Sequence, residues 1–213
     1  MRTKLYSAYY REKDPFALFE KTIAFGDISE LKDDGILVLW GGADISPSIY
    51  GQKPNKFCHA GAEPSERDLF EIECFDFAVK HKMPIIGVCR GAQLATALSG
   101  GSLVQHADNH NCGTHLIETV DEKIIKANSI HHQMMFLKDI EHQLIAWSEK
   151  KLSNRYVGED EQPIEMDKEP EIAWIPSTQT LAIQGHPEYL YPTHPFVEYC
   201  GKYVRTLMNK DVL

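Results

Sequence analysis

Long apolar runs are missing from this chain. No stretch of its 213 residues reaches the ~18 consecutive apolar positions that a membrane helix needs. The opening Met1-Arg2-Thr3-Lys4-Leu5-Tyr6 lacks the apolar core of a secretory leader. Cysteine is sparse: five residues, an odd number at wide spacing, argue against a disulfide framework and for a reducing compartment. Basic charge is in deficit, with 22 Lys and Arg against 31 Asp and Glu and a net charge of −9, which disfavours nucleic acid as the main partner. No Gly-rich loop ending in Lys is present to cradle a nucleotide phosphate. There is no internal repeat, low-complexity tract or interdomain linker. The expectations are a single domain over residues 1–213, a cytoplasmic location, no membrane or nucleic-acid contact, no cofactor and no metal.

What is present is an alternation of strand-like and helix-like segments, with 43% hydrophobic residues to build one sizeable core. Residues 5–10 read as a first strand. Asp14 reads as a helix cap with Pro15 at the first position and Phe16, Phe19 and Ile23 on one face. A strand at 36–40 precedes a helix at 65–81, where Ser65 and Asp68 have capping-box spacing and Leu69, Ile72, Phe75 and Val79 share a side. A strand at 84–88 runs into a helix at 91–98. Shorter strands fall within 102–120 and 143–157, and a hairpin pairs 172–174 with 180–184. A last helix starts at Pro195, with Phe196, Cys200, Tyr203 and Leu207 inward. This order predicts a three-layer α/β fold, a mostly parallel central sheet with helices on both faces. Between Gly158 and Glu171, seven acids accompany one Lys168. That segment reads as a solvated loop or hairpin, or else as a surface that docks a basic partner or overhangs a pocket.

The sharpest corner lies at Cys89. Pro84-Ile85-Ile86-Gly87-Val88 reads as a buried strand, and the helix begins almost at once at Gly91, so Cys89 sits at a nucleophile elbow between two glycines. Any Cβ at those two positions would crowd so tight a turn. The helix N-terminus behind the sulfur favours a thiolate, the attacking species. A thiolate needs a partner that accepts and later donates a proton, and histidine suits both tasks near neutral pH. Downstream, Leu181-Ala182-Ile183-Gln184-Gly185 leads to His186-Pro187-Glu188. Pro187 biases His186 toward an extended backbone, in which residues two apart point the same way. Glu188 would then orient the His186 imidazole as the third member of a triad. The order Cys, His, Glu differs from Ser-type α/β-hydrolases, whose acid precedes the histidine.

Gly-Val-Cys89-Arg-Gly-Ala-Gln followed by Gly-His186-Pro-Glu188 resembles the class I glutamine amidotransferase family. Gly41-Gly42-Ala43-Asp44-Ile45-Ser46-Pro47-Ser48-Ile49-Tyr50-Gly51, Glu66-Arg67-Asp68 and Asn128-Ser129-Ile130-His131-His132-Gln133 resemble segments of its gamma-glutamyl hydrolase branch, which includes gamma-glutamyl-gamma-aminobutyrate hydrolases. The resemblance covers residues 35–190 and implies a flavodoxin-like three-layer domain. It implies Cys89 as nucleophile, His186 as base and acid, Glu188 as orienting carboxylate, and an oxyanion hole from the backbone N–H groups of Gly42 and Arg90. It places Gln93, Gly41, His131 and His132 as substrate contacts, and leaves the Arg90 side chain to pair with a substrate carboxylate. The expected reaction is hydrolysis of a gamma-glutamyl amide, glutamine or a gamma-glutamyl-amine, through a thioester. A glutaminase subunit passing ammonia to a separate synthetase stays open, as do a redox-sensing module on the same fold and a homodimer. Two departures bear on substrate identity: only about forty residues precede Gly41, where the family's hydrolases usually hold more structure, and 101–128 is compact. His106, His110, Cys112 and His115 crowd ten residues, yet their spacing matches no standard zinc pattern. They read as pocket-rim contacts or plain surface.

Overall fold

The computed structural model describes residues 1–9 and 14–209. In chain order the first elements are β1 (Lys4–Ala8), β2 (Lys21–Phe25), β3 (Ile36–Leu39), α1 (Glu66–Lys80), β4 (Ile85–Val88) and α2 (Arg90–Leu98). There follow β5 (Ser102–Val104), β6 (His106–Ala107), β7 (Gly113–Thr119), β8 (Ile124–Ser129), β9 (Met134–Phe136) and β10 (Gln143–Ser148). The last are β11 (Tyr156–Val157), β12 (Pro170–Ile175), β13 (Thr180–Ile183) and α3 (Pro195–Met208).

Nine strands form one sheet in the order β2-β1-β3-β4-β13-β12-β10-β7-β8. From β2 to β13 neighbours run parallel, and from β13 to β8 they run antiparallel. Strands β3 and β4 are buried along their whole length, as expected for strands covered on both faces. Alternate side chains divide between those faces. Val38, Ile86, Val88 and Ile183 pack with Phe196, Cys200, Val204 and Leu207 of α3. Leu37, Leu39 and Ile85 pack with Cys74 and Phe75 of α1 and Leu94 and Ala95 of α2. The three-layer α/β arrangement is therefore present, with an antiparallel extension on one side of the parallel core. Among the described residues no helix is long and apolar enough to cross a membrane.

Three local expectations need correction. Asp14 does cap, but no helix follows: its carboxylate accepts from the backbone N–H groups of Phe16, Leu18 and Phe19 at 2.8–2.9 Å. Ala17 turns with φ 50°, and the chain re-enters the sheet as β2, carrying Ile23. Of the first-strand expectation at residues 5–10, Tyr10 lies outside the described residues. Helix α1 buries only part of the expected side, since Phe75 is buried and Ile72 packs against the core but Leu69 and Val79 are exposed, while Asp68, Glu71, Cys74 and Ala78 are buried. The acidic segment is not simply a solvated loop, because Glu169, just before β12, and Glu171, within it, are almost wholly buried.

The buried face of α1 has an electrostatic cause. The capping box at Ser65 and Asp68 forms as expected. Asp68 also pairs with the Arg90 guanidinium, as does Glu71, and all three side chains are buried. Arg67 donates from Nε to Glu71 Oε1 at 3.0 Å and from Nη2 to the Trp40 carbonyl at 3.0 Å. A buried cation with two carboxylate partners holds α1 against the start of α2, and breaking such a network strands a charge. Glu71→Ala should cost about 3–5 kcal/mol in denaturant unfolding; a loss below about 1 kcal/mol would show that the network carries little.

Candidate functional site

Strands β3, β4 and β13 are neighbours, and the loops that leave their carboxyl ends carry Gly41-Gly42, Cys89 and His186. Open α/β sheets bind ligands at that edge. The elbow is as tight as its sequence implies. Cys89 has φ 49° and ψ −109°, a conformation L-residues rarely adopt. Its N–H donates to the Ile183 carbonyl at 2.7 Å, and its own carbonyl accepts from the Gln93 N–H at 3.0 Å. A Cβ on Gly91 would lie 2.1 Å from the Leu39 carbonyl oxygen, so only glycine lets α2 begin against β3.

His186 and Cys89 are each about 95% buried and lie side by side against Gly41. The His186 Nδ1–H donates to Glu188 Oε1 at 2.8 Å. The contact arises differently from the expectation, since Pro187–Tyr189 forms a 3-10 turn rather than an extended segment. Burial opposes charge on His186, but the hydrogen bonds with Cys89 and Glu188 outweigh it and raise the imidazole to about 10. Tyr189 stacks on the imidazole with centroids 4.8 Å apart and planes 12° apart. Gly41 makes room for the ring, for a Cβ there would lie 2.5 Å from His186 Cε1 and 3.4 Å from Cys89 Cβ.

Other groups at the site escaped the sequence reading. Asn128 clamps the backbone of His186: its Oδ1 accepts the His186 N–H and its Nδ2 donates to the His186 carbonyl, both at 2.8 Å. The Asn-Ser pair at the head of 128–133 was the available signal. Gln184 Nε2 lies 3.8 Å from Cys89 Sγ. Its position follows from strand register, because Ile183 is paired with Val88 and the next residues are brought abreast.

The expected substrate contacts separate into different places. Gln93 is buried and donates to the Gln133 carbonyl at 3.0 Å. His131 is buried, with Nδ1 2.9 Å from the Gln133 carbonyl and Nε2 3.2 Å from Ser129 Oγ, and burial drives its imidazole well below the usual range. Both bonds support the 129–133 loop, and both side chains, expected to contact substrate, are buried. His132 does face a cavity, one of about 570 Å³ that Phe57, His59, His106 and Asp108 also line. Its Nε2 lies 3.1 Å from both Asp44 carboxylate oxygens. The Arg90 side chain is corrected too: its guanidinium is committed to Asp68 and Glu71, so only its backbone N–H stays a candidate for substrate chemistry. A Cβ on Gly42 would lie 2.2 Å from Arg67 Nη1, so the Gly-Gly loop is packed under that guanidinium. Of the crowded histidines, His106 stacks on Phe57 at the cavity, His110 and His115 turn inward, and Cys112 is exposed.

The peptidase C26 family model matches residues 29–124. The glutamine amidotransferase-like protein YvdE of Lactococcus lactis is 32% identical over 182 residues, 75% of this chain and 68% of that protein. Gamma-glutamyl-gamma-aminobutyrate hydrolase of Escherichia coli is 32% identical over 89 residues, 42% of this chain and 33% of that enzyme. A glutamine amidotransferase of Thermotoga maritima superimposes with a TM-score of 0.62 at 14% identity, covering 99% of this chain and 98% of that one, a likeness of fold. The chain belongs to the class I glutamine amidotransferase-like family, in its gamma-glutamyl hydrolase branch.

An imidazole raised to about 10 keeps its proton through neutral pH, and a cation beside a sulfur speeds its alkylation. His186→Ala should therefore slow the reaction of Cys89 with iodoacetamide at least about tenfold at pH 6. The two profiles should converge above about pH 10, where His186 loses its proton. Peptide mapping reads the rates, and superimposable profiles would show that His186 does not govern the sulfur.

Proposed function

We propose that the protein hydrolyses a gamma-glutamyl amide through a thioester on Cys89. The observation that carries this reading is the juxtaposition of Cys89 and His186, with His186 hydrogen-bonded to Glu188, at the carboxyl edge of three adjacent strands. The Cys89 thiolate attacks the gamma-carbonyl carbon, forming the C–S bond and placing negative charge on the carbonyl oxygen. Backbone N–H groups of Gly42 and Arg90 receive that oxyanion; such donors typically contribute ~3–4 kcal/mol each. His186 gives its proton to the departing nitrogen as the C–N bond breaks. Water then attacks the thioester while neutral His186 takes its proton. The C–S bond breaks, glutamate leaves, and the thiolate–imidazolium pair is restored. Glu188 fixes the tautomer and stabilises the imidazolium.

The leaving group is ammonia if glutamine is the substrate and an amine if a gamma-glutamyl-amine is. The names of the two relatives support one each. Transfer of the ammonia to a synthetase would need a second polypeptide. Incubation with glutamine and with gamma-glutamyl-amines, assaying ammonia and amine release, should give turnover with at least one class. Cys89→Ala should abolish it, a loss on the order of 10⁴-fold or more. Undiminished turnover by Cys89→Ala would overturn the reading. Asn128→Ala should lower kcat by about 10²-fold with little change in KM, because it releases the backbone of the proton carrier and not the substrate.

A further inference from the structure

A second cluster of reactive side chains lies inside the molecule on the far side of Gln184 from Cys89, where the Gln184 N–H donates to the Glu171 carbonyl at 2.8 Å. His115 on β7, His110 in the turn before it and Glu171 on β12 each offer one ligand atom, and those atoms lie within 4.8 Å of one another. His110 and Glu171 are completely buried and His115 is 92% buried. We propose that His110, His115 and Glu171 form a divalent-metal site suited to Zn²⁺, a structural tie between β7 and β12.

Buried polar groups are almost always hydrogen-bonded, and a buried ion without partners is costly. Here neither ring nitrogen of His110, neither of His115 and neither carboxylate oxygen of Glu171 has a directed hydrogen bond. His115 Nε2 lies 2.9 Å from Glu171 Oε1 and His110 Nε2 lies 3.2 Å from Glu169 Oε1, close contacts that lack the donor geometry of a hydrogen bond. Glu169 makes the contrast clear. It accepts from the Leu152 and Ser153 N–H groups and from the Tyr156 hydroxyl, at 2.7–3.1 Å. Its neighbour Glu171 has no such set.

One divalent cation would answer all of these deficits together. It takes a lone pair from each imidazole and from the carboxylate, and it offsets the charge of two adjacent buried acids. Two imidazoles and a carboxylate suit Zn²⁺. Bonds of about 2.0–2.1 Å put ligand atoms roughly 3–3.5 Å apart, so the three side chains close by on the order of 1 Å. His131 sits beside the site with its ring 4.9 Å from that of His110, but Ser129 and Gln133 already occupy its nitrogens. Glu171 comes from a distant strand, which is why spacing along the chain could mark His110 and His115 but not their carboxylate partner. The group at the cavity rim, Asp44, His59 and His132, is a weaker candidate: Asp44 already engages His132 and the His59 N–H, and His59 is exposed.

Purified full-length protein, stripped with a chelator and then dialysed against Zn²⁺, should retain about one equivalent by elemental analysis. A Co²⁺ derivative should show the visible bands of a four- or five-coordinate nitrogen–oxygen site without thiolate charge transfer. Zn²⁺ should also raise the melting temperature. Glu171→Gln and His115→Ala should each weaken binding at least about tenfold, and Asp44→Asn should leave it intact. If either variant fails to fold, the wild-type stoichiometry and Co²⁺ spectrum decide. The proposal is overturned if folded wild-type protein retains no metal, if a thiolate band appears, or if Asp44→Asn alone removes the ion. The first of these outcomes would leave the cluster as two buried His–Glu ion pairs.

Discussion

The backbone at Cys89 is the constraint on which the site depends. Its φ of 49° and ψ of −109° cost on the order of 1–3 kcal/mol in an L-residue and persist only when the surroundings leave no alternative. Those surroundings are identifiable. Cys89 N–H is held by the Ile183 carbonyl of β13, α2 starts immediately, and Gly91 lies against the Leu39 carbonyl of β3. The elbow is thus clasped between the strands on either side of β4. The strand that holds Cys89 in place is the one whose next loop supplies His186, so fixing the sulfur also fixes its distance to that imidazole.

Around this point the fold commits buried polar groups to holding loops. Arg90 draws Asp68 and Glu71 inward, tying α1 to the first turn of α2. Arg67 lies over the Gly41-Gly42 loop and binds the Trp40 carbonyl. Asn128 grips His186 by both backbone groups, and Gln93 and His131 brace the loop that follows Asn128. Each of these groups acts on a backbone segment that carries a candidate reacting group or on the segment behind it. Preorganisation of this kind is how an active site keeps donors aimed at a charge that exists only transiently.

The parts legible in the sequence were those in which local geometry and chemistry coincide. Glycines two residues either side of Cys89 disclosed the elbow because no other residue fits there. His186 and Glu188 were found as a pair because they are close in sequence, although a 3-10 turn rather than an extended strand joins them. Strand and helix order gave the layered sheet. What escaped was decided by distant partners. Leu69 and Val79 were expected inward on α1, but two carboxylates took that face to meet Arg90. Glu169 and Glu171 looked like part of a solvated acidic run and are buried beside His110 and His115. Asp14 had the chemistry of a helix cap and served a turn. On α1 and at Glu169 and Glu171 the location was set by a partner far along the chain, whereas the partners of Asp14 are local, at Phe16, Leu18 and Phe19.

Rapid acid quenching during turnover of a gamma-glutamyl amide, followed by intact-mass and peptide analysis, tests the central claim most directly. The account predicts a single gamma-glutamyl acyl group on the peptide that bears Cys89. Turnover with that peptide unmodified under trapping conditions that preserve thioesters, or with the acyl group on another residue, would contradict it.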